Sequence, residues 1–93
     1  PTFIAIAIKY DAAISDAPIV IAKGKRLTAA RIRKLAEDNG ISVIERKPLA
    51  RAMYNQIEVG KPVPSAYYKS ISELLAYLYR MGDTRVKEQL SKR

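Results

Sequence analysis

Residues 4–8 read Ile-Ala-Ile-Ala-Ile, alternating bulky with small and never with polar. A strand sends successive side chains to opposite faces, so Ile4, Ile6 and Ile8 share one face and Ala5 and Ala7 the other. Neither face suits water. The segment therefore predicts a central strand covered on both sides, and the fold must supply helices to cover it.

The remaining elements follow from periodicity and punctuation. Asp11 to Pro18 shows neither a helical nor a strand period and reads as a loop, with Pro18 able to open a strand but not to sit inside a ladder. Ile19-Val20-Ile21-Ala22 predicts a second strand, which Gly24 leaves. Thr28, Ala29, Ile32, Leu35 and Ala36 fall at helical spacing, and Asn39-Gly40 supplies the left-handed turn that ends a helix. Ile41, Val43 and Ile44 predict a third strand, parallel to an earlier one given the short link from the helix. Pro48 suits a first helical turn, followed by a stripe of Leu49, Ala52, Met53 and Ile57. Gly60 to Pro64 reads as rigid loop. Ser65 is placed to cap a last helix with Ile71, Leu74, Leu75 and Leu78 on its core side and Gly82 as its stop.

The order β-β-α-β-α-α predicts an α/β domain over residues 1–82, with 83–93 as a charged C-terminal tail. Its small mixed sheet has three strands here, flanked by helices. An apolar strand this close to a terminus makes the sheet look incomplete, with a further strand expected upstream of Pro1. The chain starts on proline, without methionine. Loss of an initiator Met or a cut boundary would account for that, and so would cleavage of a longer polypeptide just before Pro1.

Ninety-three residues are one domain, able to bury about 60–65% of their unfolded surface. The chain has no Cys and no His, which removes disulfides, thiol nucleophiles, Cys/His zinc sites and every His-based triad. No apolar run approaches the roughly 18–20 residues of a membrane span. Seventeen Lys+Arg against nine Asp+Glu give +8, and residues 23–34 carry six bases and no acid. Such a surface suits nucleic acid, an anionic membrane face or acidic proteins, or is a solvated helix face. Gly24-Lys25 follows a strand but lacks the first glycine and the Ser/Thr of a phosphate loop. The acids are scattered singly, with no acid/base couple and no metal box, and no cofactor is called for. Tyr54, Tyr67, Tyr68, Tyr77 and Tyr79 lie at helical positions, where they more often finish a core than stack on bases.

Four blocks together carry a resemblance: residues 1–11 (Pro-Thr-Phe-Ile-Ala-Ile-Ala-Ile-Lys-Tyr-Asp), 17–24 (Ala-Pro-Ile-Val-Ile-Ala-Lys-Gly), 31–41 and 48–54 (Pro-Leu-Ala-Arg-Ala-Met-Tyr). Over residue 1 to about Met81 the chain resembles the cytoplasmic domain of the FlhB family, the switch proteins of flagellar and injectisome type III export. Lys9-Tyr10-Asp11 and Ala22-Lys23-Gly24 look more flagellar than injectisome.

The resemblance implies self-cleavage between an Asn and Pro1, at a site whose residues in this sequence are Pro1, Thr2 and Phe3. Position 3 is Phe where the family usually has His. It implies an upstream fragment of the same protein, ending in Asn and carrying the membrane helices. That places the domain at the cytoplasmic face of the bacterial inner membrane. It further implies a part in selecting export substrates and in the rod/hook-to-filament switch. The implied partners are other export-gate components, exported proteins and the hook-length control protein, with no nucleic acid expected. Apart from the one self-cleavage, no turnover and no catalytic residue of this chain is implied. An apolar substrate-receiving patch maps by position to Ala17, Pro18, Ser72 and Leu75, a shallow groove between the loop and the last helix; Ser72 is polar where a small apolar residue is usual. The alternative from another class is a small basic nucleic-acid-binding domain using residues 23–34.

Overall fold

The computed structural model describes residues 3–10, 13, 17–45 and 47–81. The elements are β1 (Ile4–Lys9), β2 (Ile19–Lys25), α1 (Leu27–Asn39), β3 (Ser42–Ile44), α2 (Lys47–Gln56), a 3-10 turn (Ser65–Tyr67) and α3 (Tyr68–Arg80). Pro1, Thr2, Gly82 and the 83–93 tail lie outside the described residues, as does the side chain of Leu78.

The strand order is β2-β1-β3, so the strand with two apolar faces is central. Both of its pairings are antiparallel, where a mixed sheet was expected. The reason is the crossover. The link β2-α1-β3 passes over β1 and sets β3 down on its far side, parallel to β2 but not adjacent to it.

Each face of β1 has its own cover. Ile4, Ile6 and Ile8 enter the main cluster, with Val20, Ile44, Met53, Ile57, Val63, Ile71 and Leu74. This is the side of α2 and α3. On the other side α1 lies over the small residues, where Ala5, Ala29, Ala36 and Val43 cluster and Phe3, Ile32 and Ile41 pack at the margin. Alanines let a helix approach a sheet closely.

Gly24 belongs to that close approach. It does not end β2 as expected; the strand runs on to Lys25, with Gly24 paired to Ala5. A Cβ at Gly24 would lie 2.5 Å from Thr28 Cγ2 and 3.0 Å from Ile32 Cδ1. Glycine inside a strand commonly marks such a neighbour. Gly40 does end its helix as expected, at φ 65° and ψ 33°, with the Ile41 amide donating to the Ala36 carbonyl at 2.9 Å.

The pairing of β1 with β2 shifts between Ala7↔Ala22 and Ile8↔Val20, which leaves Ile21 as an extra residue. Without this bulge Val20 and Lys23, three apart, would fall on opposite faces. With it they both face the α2 side, opposite Ile8 and Ile6 respectively. Along the outer edge of β2 runs the loop after α2. The Val20 amide donates to the Lys61 carbonyl, the Gly60 amide to Val20 O at 2.7 Å and the Val63 amide to Pro18 O at 2.8 Å.

The stripe on α2 is turned slightly from its expected phase, with Ala50 fully buried and Ala52 half-buried. Ser65 opens the 3-10 turn that runs directly into α3, in place of capping α3 itself.

Candidate functional site

The start of β1 is held from two directions. The Phe3 carbonyl accepts the Arg26 amide at 2.8 Å. The Phe3 ring is half-buried against the small-residue cluster, and the Arg33 guanidinium stands over it, 4.6 Å from the centroid. Arg33 in turn donates from Nε to Glu45 at 2.7 Å. A planar guanidinium stacks on a ring face while its edge meets a carboxylate, and both interactions are used here. Of the expected cleavage-site residues, Pro1 and Thr2 lie outside the described residues, and Phe3 is an anchored one.

Arg26 sits at φ 55° and ψ −121°, backbone that glycine adopts readily and a side chain with a Cβ does not. It occupies the tight corner between β2 and α1. Its amide serves Phe3 and its carbonyl accepts the Ala30 amide at 3.1 Å, so each end of the strained residue is hydrogen-bonded.

The four residues of the expected substrate patch differ in what they offer. Ala17 is buried, 6% exposed, which corrects its reading as an open groove wall. The loop that pairs with the edge of β2 brings the Val63 amide onto the carbonyl of Pro18, the chain neighbour of Ala17, at 2.8 Å. Pro18 and Leu75 are half-buried, and Leu75 packs against the main cluster, which contains Val63. Ser72 is exposed. Pro18, Leu75 and Ser72 are thus the members with surface to present.

A second groove lies between α2 and the start of α3. It is lined by Pro48, Leu49 and Ala52 of α2 and by Ala66, Tyr67, Ser70 and Glu73 around the start of α3. The Tyr67 hydroxyl donates to Gln56 Oε1 and ties the two sides together. At 100° per residue, Ser70 and Glu73 fall on the flank of α3 away from Ser72 and Leu75. Leu49, expected on the core stripe of α2, is half-buried at the edge of this groove.

The basic run does not form one face. Lys23 points toward the bulky face and donates to the Tyr54 carbonyl at 2.9 Å and the Ile57 carbonyl at 3.0 Å, satisfying the end of α2. Lys25 stands 4.5 Å from the centre of the Tyr54 ring. Arg33 is committed to Phe3 and Glu45, and Lys34 lies 3.4 Å from Asp38. Only Arg26 and Arg31 have no side-chain partner among the described residues. A continuous phosphate-tracking surface over residues 23–34 is therefore absent among them, and Gly24, inside a strand, opens no phosphate loop. Among the described residues no group of acids could hold a metal ion.

Comparison with known proteins bears on residues 1–78, which match the model of the FlhB HrpN YscU SpaS family. The chain is 45% identical over 80 residues to the flagellar biosynthetic protein FlhB of Bacillus subtilis, covering 86% of this chain and 22% of that protein. It is 38% identical over 86 residues to FlhB of Escherichia coli, covering 92% and 22%. It thus spans about 22% of the length of these curated relatives. The crystal structure of the cytoplasmic domain of FlhB from Shewanella putrefaciens superposes with a TM-score of 0.74 at 34% identity, over 88% of this chain and 68% of that one. The PscU C-terminal domain gives a TM-score of 0.71 at 36% identity, over 84% and 99%.

Proposed function

The chain belongs to the FlhB HrpN YscU SpaS family, and we propose that it is the cytoplasmic regulatory domain of a flagellar type III export apparatus. The reading places it at the cytoplasmic face of the bacterial inner membrane, self-cleaved between an Asn and Pro1. There it takes part in recognising export substrates and in changing from rod/hook to filament cargo. The observation that carries it is the likeness to flagellar FlhB proteins along nearly the whole described fold. Its partners on this reading are the upstream fragment ending in Asn, other export-gate components, exported proteins and the hook-length control protein.

The cleavage needs no nucleophile from this chain. The side-chain amide nitrogen of the Asn attacks that residue's own backbone carbonyl carbon. A succinimide closes, the bond to Pro1 breaks, and the proton lost by the amide ends on the Pro1 nitrogen. Proline after the Asn restricts that Asn to extended conformations, and holding it near the attack geometry is the protein's contribution. Phe3, pinned by Arg33 above and by the Arg26 amide beside it, supports this role by fixing the third residue after the bond, at the entry to β1. The chain's absence of His and Cys is compatible with it.

Substrate recognition is assigned to Pro18, Leu75 and Ser72, Ala17 being buried. Intact mass measurement of the full-length protein expressed alone tests the cleavage. Two fragments are expected, the second starting at Pro1, and a single uncut chain would remove self-cleavage from the proposal. Ser72→Asp tests recognition without disturbing the core, because Ser72 is exposed. A carboxylate desolvated by incoming apolar cargo costs a few kcal/mol, so export of rod- and hook-type cargo should fall about tenfold or more with thermal stability unchanged. Unaltered export would take these residues out of the role.

A further inference from the structure

The outer face of α1 is covered by nothing among the described residues. Leu27 is 79% exposed and Leu35 62%, two of the most exposed large apolar side chains described. Between them lie Ala30, Arg31 and Lys34, and these five residues line one apolar strip. The spacing 27, 30, 31, 34, 35 puts them on a single stripe about 12 Å long, opposite the buried Ala29 and Ala36. Arg26 is exposed at the start of the helix, and no acid stands in its first turn.

We infer that this face of α1 docks on an anionic phospholipid surface, Leu27 and Leu35 entering between headgroups whose phosphates meet Arg26, Arg31 and Lys34. Two observations select lipid over an acidic protein. The first is shape: every residue lining the strip comes from α1, so no second element supplies a wall to grip a partner. A headgroup layer receives convex side chains without needing one. The second is the arrangement of charge. The bases flank the leucines along the same stripe, so their stems can lie on apolar surface while their heads reach phosphate. The acids of α1 are Asp38, already beside Lys34, and Glu37, exposed on the strip's flank. The inference concerns the basic run that the export reading leaves unused, and it does not rest on that reading.

The test is sedimentation of the intact 93-residue chain with vesicles of phosphatidylcholine containing 30% phosphatidylglycerol, against phosphatidylcholine alone. Binding is expected only with the anionic vesicles. Each base held at such a surface contributes roughly fivefold in partitioning, so Arg31→Gln should weaken binding by about that factor. Leu27→Ser with Leu35→Ser should weaken it about tenfold while leaving the circular dichroism spectrum and thermal midpoint unchanged, since both side chains are exposed. Lys61→Gln and Lys69→Gln, exposed bases elsewhere, serve as controls and should have the smaller effect. Three results would overturn the proposal: no preference for anionic vesicles, controls as damaging as Arg31→Gln, or full binding by the double Leu variant. Tighter binding to a 20-base-pair DNA duplex than to vesicles, also lost on Arg31→Gln, would assign the face to nucleic acid instead.

Discussion

The two faces of β1 meet their helices on different terms. On one, isoleucines fill a cluster shared by two helices, β3 and the loop edge. On the other, alanines and Gly24 let a single helix lie close, and the space is set by backbone approach. The bulky face is built of volume and fails when volume is removed. The small face is built of nearness and fails when volume is added. Five alternating residues thus specify two different kinds of packing.

The largest effect should come from Ile6→Ala, at a side chain with no exposed surface in the middle of the bulky cluster. A loss of about 2–5 kcal/mol is expected in chemical denaturation. That is a large part of the roughly 5–15 kcal/mol a domain of this kind has in total. A loss under 1 kcal/mol would show that the bulky face collapses to fill the gap, and the contrast with the other face would be gone.

Gly24→Ala tests the small face. Its new methyl meets Thr28 Cγ2 at 2.5 Å, so a loss of about 1–3 kcal/mol is expected. Adding Thr28→Ser removes that closest atom and should return part of the loss. Non-additivity in the double variant identifies nearness as the cause; plain additivity would locate the damage elsewhere.

The smallest effect has the opposite sign. Arg26→Gly relieves the positive-φ backbone at the corner into α1, worth about 1–3 kcal/mol, against roughly 0.5–1 kcal/mol of added chain entropy when unfolded. A net gain of about 1 kcal/mol in stability is expected from thermal unfolding. If the variant is less stable, the corner is not where the small face stores its strain.

Much of this arrangement was legible because it depends on neighbours in sequence. The alternation in residues 4–8, Gly40 after Asn39 and Pro48 in the first turn of α2 each announce a local geometry, and each holds. The family resemblance was legible for the same reason, as contiguous blocks. What was hidden depends on partners far along the chain. Gly24 looks like a terminator unless Thr28 and Ile32 are known to lie above it. Ala17 looks like surface unless residues 60–63 are known to come back beside it. The bulge at Ile21 is silent in the sequence, yet it decides that Lys23 turns inward to the end of α2. For the same reason a run of six bases that reads as one electrostatic face is divided between two sides of the sheet.

The loop at residues 60–63 has a consequence for how copies of this domain behave in a crowd. An edge strand with free amides and carbonyls invites another chain to add itself, the first step toward fibrils and precipitates. Along β2 that invitation is withdrawn at one end, where the Val20 amide and the Pro18 and Val20 carbonyls are taken by the loop, and it is bent out of line by the extra residue at Ile21. At the opposite edge β3 is only three residues long. Among the described residues both edges therefore leave only a short free run, which disfavours the joining of sheets between copies.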